Sequence, residues 1–370
     1  MTFIAPFRAL LPRTEIISHA DSFFTQAKEQ FGTLVGAGYF KPAAQDAMYV
    51  YRIEAAWHTH IGLLASADIA AYADGKIIKH EQTLAAKEEK TMRLMQERKA
   101  MIKPVLLTYP TVNSITELLN GVTATQKPLY KINFKGITHT LWAVENSAES
   151  AAILDLFTAN VPKMYIADGH HRMAAVQRRW NVFRAANATA DDTKYRQILV
   201  ALFAAEQLQI WDYNRIIEGL GQYSPLTFLA AISKICNIEV CKTAARPTKP
   251  HQFAMYLSGD WFMLEWRTEV LAEVKTTSDG LDVSLLNKKI LAEILAIKDI
   301  RTDTRVQYCE GIRGLDALAV RGSRQPTVSF CMFPVALQDL MQISDEGETM
   351  PPKSTWFEPR IKNGFVAMSL

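Results

Sequence analysis

Tyr165-Ile166-Ala167-Asp168-Gly169-His170-His171-Arg172 is the stretch on which the reading of this chain turns. A short apolar run enters a glycine, and a helical pattern starts at once. The amides of a helix's first turn have no partner within the helix and carry partial positive charge, so they receive phosphate well. Gly169 lets the backbone come close to a ligand. His170, His171 and Arg172 add donors suited to phosphate oxygens. Asp168 is placed to hold a metal ion or a hydroxyl group. The plain alternative is a helix cap, with Asp168 as N-cap and the histidines packed beside it. A cap alone does not call for so many chemically capable side chains in one turn.

Working outward, Lys163–Ala167 reads as a strand and His171–Ala186 as a helix. The polar stretch Asn187–Lys194 reads as a loop, and the apolar run Gln197–Ala204 as a buried strand. On the other side, Ala148–Thr158 is helical, and Leu129–Phe134 with Ile137–Val144 forms a hairpin around Lys135-Gly136. Pro104–Tyr109 is a strand. Leu84–Ala100, charged and free of Gly and Pro, is a helix. Nearer the start, Ala20–Phe31 is a helix with Phe23, Phe24, Ala27 and Phe31 on one face. Met48–Ile53 and Trp57–Ala65 are strand candidates. Beyond residue 210, Leu226–Ile235 is helical, Phe253–Leu257 and Trp261–Trp266 form a hairpin, Val283–Ile297 is an amphipathic helix, and the tail Phe357–Leu370 reads as a hairpin around Asn363-Gly364. Interleaved helices, strands and hairpins predict a mixed α/β or α+β protein.

Two further segments carry chemistry. Lys79-His80-Glu81-Gln82-Thr83, followed by Lys87-Glu88, lies where an extended segment meets a helix. Glu81 and Thr83 serve equally well as caps, but a carboxylate beside a histidine is a reasonable general base. In Gly347-Glu348-Thr349-Met350-Pro351-Pro352-Lys353-Ser354-Thr355, two prolines stiffen a loop that presents Lys353, Ser354 and Thr355. Phosphate or carboxylate binding and a rigid surface loop are both open readings. His58 and His60 share a strand face, but a metal needs more ligands.

Composition limits the rest. The 370 residues are 49% hydrophobic and 21% charged, enough for a substantial core. A net charge of +3 is too slight to predict a nucleic-acid partner. Cys236, Cys241, Cys309 and Cys331 form no Cys-x-x-Cys pair, which argues against zinc and for buried thiols. The start shows no leader pattern, and the longest apolar run is far below the roughly 20 residues of a membrane span. A cytoplasmic protein without membrane partners is expected.

Taken in order, Lys79-His80-Glu81-x-Thr83-x-x-x-Lys87-Glu88, Tyr165 to Arg172, Asn214-Arg215-Ile216-Ile217 and Gly347-Glu348-x-Met350-Pro351-Pro352-Lys353-Ser354-Thr355 resemble the domain-of-unknown-function 1015 family across nearly the whole chain. The opening Pro6-Phe7-Arg8-Ala9-Leu10 fits as well. Met173 stands where the family usually has an aromatic residue, and a Pro-Pro-Tyr-Asp block common in the family is missing. The Asp-Gly-His-His-Arg turn also resembles the phosphate loop of the ParB/sulfiredoxin fold, which includes free-serine kinases.

The resemblance implies a ParB/sulfiredoxin-like nucleotide-binding core over residues 1–210. A smaller α/β part over 211–370 would send its 347–355 loop back to the active site. It implies an ATP- or ADP-dependent kinase acting on the hydroxyl of a small metabolite, serine first. Gly169, His170, His171 and Arg172 would bind nucleotide, and Asp168 would hold magnesium. Glu81, His80 and Asp168 would be catalytic, and Lys353, Ser354 and Thr355 would bind the acceptor. Oligomeric state is left open, a homodimer included. The competing readings are a metal-dependent phosphoesterase built from His80, Glu81, Asp168, His170 and His171, and a non-catalytic nucleotide-binding switch.

Overall fold

Among the described residues, three β-sheets with surrounding helices give the mixed α/β architecture expected from the sequence. The computed structural model describes residues 3–187, 189–322 and 327–370. The chain divides into two compact units, Met1–Gln209 together with Pro359–Leu370, and Ile210–Glu358.

The large sheet of the first unit runs Ile77–Ile78, Met164–Asp168, Val105–Tyr109, Gln197–Ala204, Thr59–Asp68, Met48–Glu54, Ile137–Val144, Tyr130–Phe134. Ile4–Ala5 adds against Thr59–Asp68. Gln197–Ala204 is buried at every position after the first, which is why its sequence is an unbroken apolar run rather than an alternation. It lies parallel to Val105–Tyr109 and antiparallel to Thr59–Asp68. The hairpin after Tyr130–Phe134 turns on Lys135 and Gly136, both at positive φ, as a two-residue turn between twisted strands requires. Helix Ala20–Gly36 buries Phe23, Phe24, Ala27, Phe31 and Leu34, continues through Gly32 and ends at Gly36. Helix Asn113–Thr125, unpredicted, buries Ile115, Leu119 and Val122. Within the expected loop Asn187–Lys194, Ala188 lies outside the described residues, and a short helical turn starts at Thr193.

A small sheet in the same unit joins Phe40–Pro42, Ala9–Pro12, Ala367–Ser369 and Ala100–Met101. It corrects the reading of the tail. Asn363-Gly364 is not a hairpin turn: Ala367–Ser369 pairs with Ala9–Pro12 and Ala100–Met101, whereas Thr355–Glu358 pairs with Gln209–Glu218.

In the second unit the sheet order is Cys236–Cys241, Asp260–Trp266, Gln252–Leu257, Thr327–Cys331, Gln209–Glu218, Val306–Glu310. Phe228, Phe253, Leu264, Trp266 and Phe330 form its core with Leu286 and Ile290. Those last two come from the expected helix Val283–Ile297, which opens as an α-helix at Asp282–Leu285 and widens into a π-helix over Leu286–Ala292. No helix among the described residues is long and apolar enough to cross a membrane.

Candidate functional site

Strand Met164–Asp168 is buried up to its last residue, and its two neighbours assemble the site. On one side Ile77–Ile78 runs parallel, with Ile78 across from Tyr165. The chain leaving Ile78 therefore carries His80 and Glu81 alongside the end of the central strand. His80 is buried and hydrogen-bonds the backbone at Ile166. On the other side Val105–Tyr109 runs antiparallel, and after a register break Leu106 faces Asp168. The segment just before that strand holds Lys103. The Gly364 N–H donates to the Ile102 carbonyl at 2.6 Å, which ties the C-terminal segment beside Lys103 and brings in Arg360.

Three cations thus surround one carboxylate. Arg172 Nη2 lies 2.9 Å from Asp168 Oδ2, Lys103 Nζ 3.4 Å from the same oxygen, and Arg360 Nη1 3.4 Å from Oδ1. Burial alone would raise the Asp168 carboxyl. Arg172, Lys103 and Arg360 outweigh it and hold the group well below the usual carboxylate range. Burial pushes the Lys103 ammonium down to about 8; Asp168 opposes that shift, and Arg172 and Arg360 add to it. Lys103, Arg172 and Arg360 thus bring three cations to one carboxylate, an arrangement whose local field favours negative charge.

The backbone agrees. Gly169 has φ +107°, and helix His170–Ala186 begins directly after it. Arg172 folds back over the turn, so a Cβ at Gly169 would lie 2.6 Å from Nη2. The helix is held by Met173, Ala174, Ala175, Val176 and Trp180, all buried. Met173, at the position where an aromatic residue is usual, is fully buried.

His170 and His80 meet edge to face, with ring centres 4.4 Å apart. His170 Nδ1 is 3.6 Å from Glu81 Oε2, and its Nε2 is buried with no hydrogen-bond partner among the described residues. Burial, reinforced by His80, drives His170 well below its ordinary value, and burial takes His80 down to about 3, so both rings are neutral. Glu81 itself reaches solvent, with its side chain 37% exposed. His171 turns away, toward Lys87 and Glu88, which perturb it along with burial. Thr83 donates to Glu88 at 2.5 Å and Arg178 lies 3.9 Å from Glu88. This part of the Lys79–Glu88 block therefore fastens helix Ala85–Arg98 to helix His170–Ala186.

Magnesium on Asp168 does not fit this donor set. Both oxygens already face cations, and no group of three or more His, Cys, Asp or Glu among the described residues could hold a metal ion. The same finding removes the support for a metal centre built from His80, Glu81, Asp168, His170 and His171. His58 and His60 touch ring to ring, but His60 Nδ1 is engaged by the Gln207 carbonyl at 2.7 Å.

Lys353, Ser354 and Thr355 belong to the second unit. There the fully buried Arg215 donates to the carbonyls of Pro352, at 3.3 Å, and Lys353, at 2.9 Å. Lys353 has φ +60°, and its ammonium lies 5.2 Å from the centre of the Tyr213 ring. Ser354 spends its hydroxyl on the Pro351 carbonyl at 2.6 Å, and Thr355 opens a strand. Arg215 thus braces the Met350–Thr355 loop, while its neighbour Asn214 accepts a hydrogen bond from the Met332 N–H at 2.9 Å. Lys103 and Arg360 were not singled out from the sequence. Each is a basic residue next to a proline, brought to Asp168 by long-range contacts: Lys103 by the pairing of Val105–Tyr109 and Arg360 by the Gly364–Ile102 hydrogen bond.

A family model described as "Protein of unknown function (DUF1015)" matches residues 8–284. The chain belongs to the DUF1015 family. No curated protein matches this DUF1015 member. Among solved structures it is similar to SbnI with a C-terminal truncation from Staphylococcus aureus, at 14% identity, covering 81% of this chain and 85% of that one, with a TM-score of 0.43. It is similar to a free serine kinase in complex with AMP, at 12% identity over 82% of this chain and 92% of that one, TM-score 0.39. A conserved hypothetical protein from Pyrococcus furiosus is 13% identical over 81% and 93%, TM-score 0.41.

Proposed function

We propose that this DUF1015 protein binds a nucleoside di- or triphosphate at the Asp168–Arg172 turn and transfers a phosphoryl group to the hydroxyl of a small metabolite, serine being the first candidate. One observation carries the reading: Lys103, Arg172 and Arg360 converge on Asp168 at the start of a helix entered through a glycine at positive φ. Phosphoryl transfer depends mainly on positioning and on stabilising charge as the phosphoryl group moves. The first-turn amides and the three cations supply that charge. Asp168 holds the guanidinium groups of Arg172 and Arg360 in place.

Glu81 is the proton acceptor. With ATP as donor, the acceptor oxygen bonds to the γ-phosphorus, the bond from that phosphorus to the bridging oxygen breaks, ADP leaves, and the hydroxyl proton passes to the Glu81 carboxylate. With ADP as donor the same step occurs at the β-phosphorus and AMP leaves. His170, whose Nδ1 lies 3.6 Å from Glu81, is neutral and so adds no positive charge beside the base.

Incubation of the full chain with labelled ATP or ADP and a panel of amino acids and small alcohols tests the reading. Label should appear in one phosphorylated acceptor. Glu81→Gln should lower that turnover about 10²–10⁴-fold with nucleotide affinity near wild type. Tight nucleotide binding without transfer to any acceptor would instead make the protein a nucleotide-binding switch.

A further inference from the structure

The phosphoryl-transfer reading uses Lys103 only as a charge, yet its place suits a second chemistry. Its amine is 3.4 Å from Asp168 Oδ2, the oxygen that Arg172 Nη2 also contacts, and Arg360 Nη1 stands 3.4 Å from Oδ1. Two guanidinium groups thus share one carboxylate with a primary amine. The Lys103 side chain is 22% exposed, so the amine is sheltered but open to a small reagent. Arg172 Nε is buried with no hydrogen-bond partner among the described residues, and a Cβ at Gly169 would lie 3.0 Å from it. That donor is left over at the turn that opens the helix.

Burial and the two arginines disfavour the charged form of the amine, and Asp168 opposes them without cancelling them. A lysine so placed gains nucleophilic character near neutral pH.

We propose that Lys103 is an acylation site for acyl phosphates: Arg172 and Arg360 receive the phosphoryl group, and the Lys103 amine attacks the adjacent acyl carbon. The nitrogen–carbon bond forms, the bond from that carbon to the phosphate oxygen breaks, inorganic phosphate leaves, and the amine's proton passes to solvent. An acyl phosphate suits the cluster better than a neutral acyl donor, because its phosphate is the group that the arginines attract. The amide formed carries no charge, so the modification removes one cation and weakens the cluster as an anion site. The inference needs only a phosphate group at the cluster, and failure of the phosphoryl-transfer reading leaves it standing.

Brief treatment of the full chain with acetyl phosphate at neutral pH, followed by peptide mass spectrometry, measures the acetylation rate at each lysine. The same measurement with the N-hydroxysuccinimide ester of acetic acid, which has no phosphate, gives the reactivity of each amine alone. Lys103 should acetylate at least about tenfold faster than the exposed lysines with acetyl phosphate. That lead should shrink several-fold with the ester, and also when inorganic phosphate competes. In Arg172→Ala the leads with the two reagents should become alike. A Lys103 rate no higher than that of the exposed lysines, an equal lead with both reagents, or a lead insensitive to inorganic phosphate would overturn the inference. These comparisons use the wild-type protein and hold whether or not Arg172→Ala folds.

Discussion

Removing the Arg172 guanidinium separates a phosphate site from a mere helix cap. Nη2 lies 2.9 Å from Asp168, and the side chain, 20% exposed, curls over Gly169. A bound phosphate would accept charged hydrogen bonds from this group, worth about 1.5–3 kcal/mol, so Arg172→Ala should weaken nucleotide binding roughly 10–150-fold. The fold should suffer much less. Asp168 keeps Lys103 and Arg360, each at 3.4 Å, and is not left as an uncompensated buried charge. The loss of one partly exposed ion pair should cost about 1 kcal/mol or less. Arg172→Lys should fall between, since it keeps the charge but loses the planar fork. Calorimetry with ATP and ADP measures the affinity, and thermal unfolding of the same samples measures the stability. An Arg172→Ala protein that binds nucleotide as the wild type does would return the turn to a capping role.

Lys103 gives a pH signature. Its folded value of about 8 lies below the ordinary lysine range, so the free site loses a cation as pH rises through 8, while a bound phosphate holds the proton on. Nucleotide affinity should therefore fall above about pH 8, Lys103→Met should flatten that fall, and an affinity unchanged up to roughly pH 9.5 would exclude Lys103 from the site. The sign for stability is opposite. The unfolded chain holds this proton more tightly than the folded one, so the Lys103 contribution to folding improves as pH rises from about 8 toward the ordinary value near 10.4. For the sequence expectation that Lys353 holds the acceptor, Lys353→Ala should raise the acceptor KM several-fold with folding intact. An unchanged KM and kcat would remove Lys353 from the reaction.

Much of the fold is legible where one sequence feature dominates. The apolar run Gln197–Ala204 is a strand because burial on both faces leaves no other composition, and Lys135-Gly136 is a turn because both positions take positive φ. The Asp168–Arg172 turn is legible for the same reason: glycine, strand end and helix start coincide within a few residues. Helix Asn113–Thr125 is harder to read because Thr116, Thr123, Thr125 and Gly121 dilute a sound i, i+4, i+7 pattern of Ile115, Leu119 and Val122. The tail misleads because Asn363-Gly364 has the composition of a hairpin turn, yet its neighbours pair with distant strands. Lys103 and Arg360 have no local signature at all. Their role comes from the register of Val105–Tyr109 and from the Gly364–Ile102 hydrogen bond, both long-range facts. Arg215 lies in a block marked by the family resemblance, but its task, holding the Pro352 and Lys353 carbonyls, is set by a long-range contact.

The most direct test of the central claim is a crystal structure of the full chain with ADP. The β-phosphate should lie within hydrogen-bond distance of the first-turn amides after Gly169 and of at least two of Lys103, Arg172 and Arg360. A nucleotide bound elsewhere, with Asp168 and its three cations untouched, would contradict it.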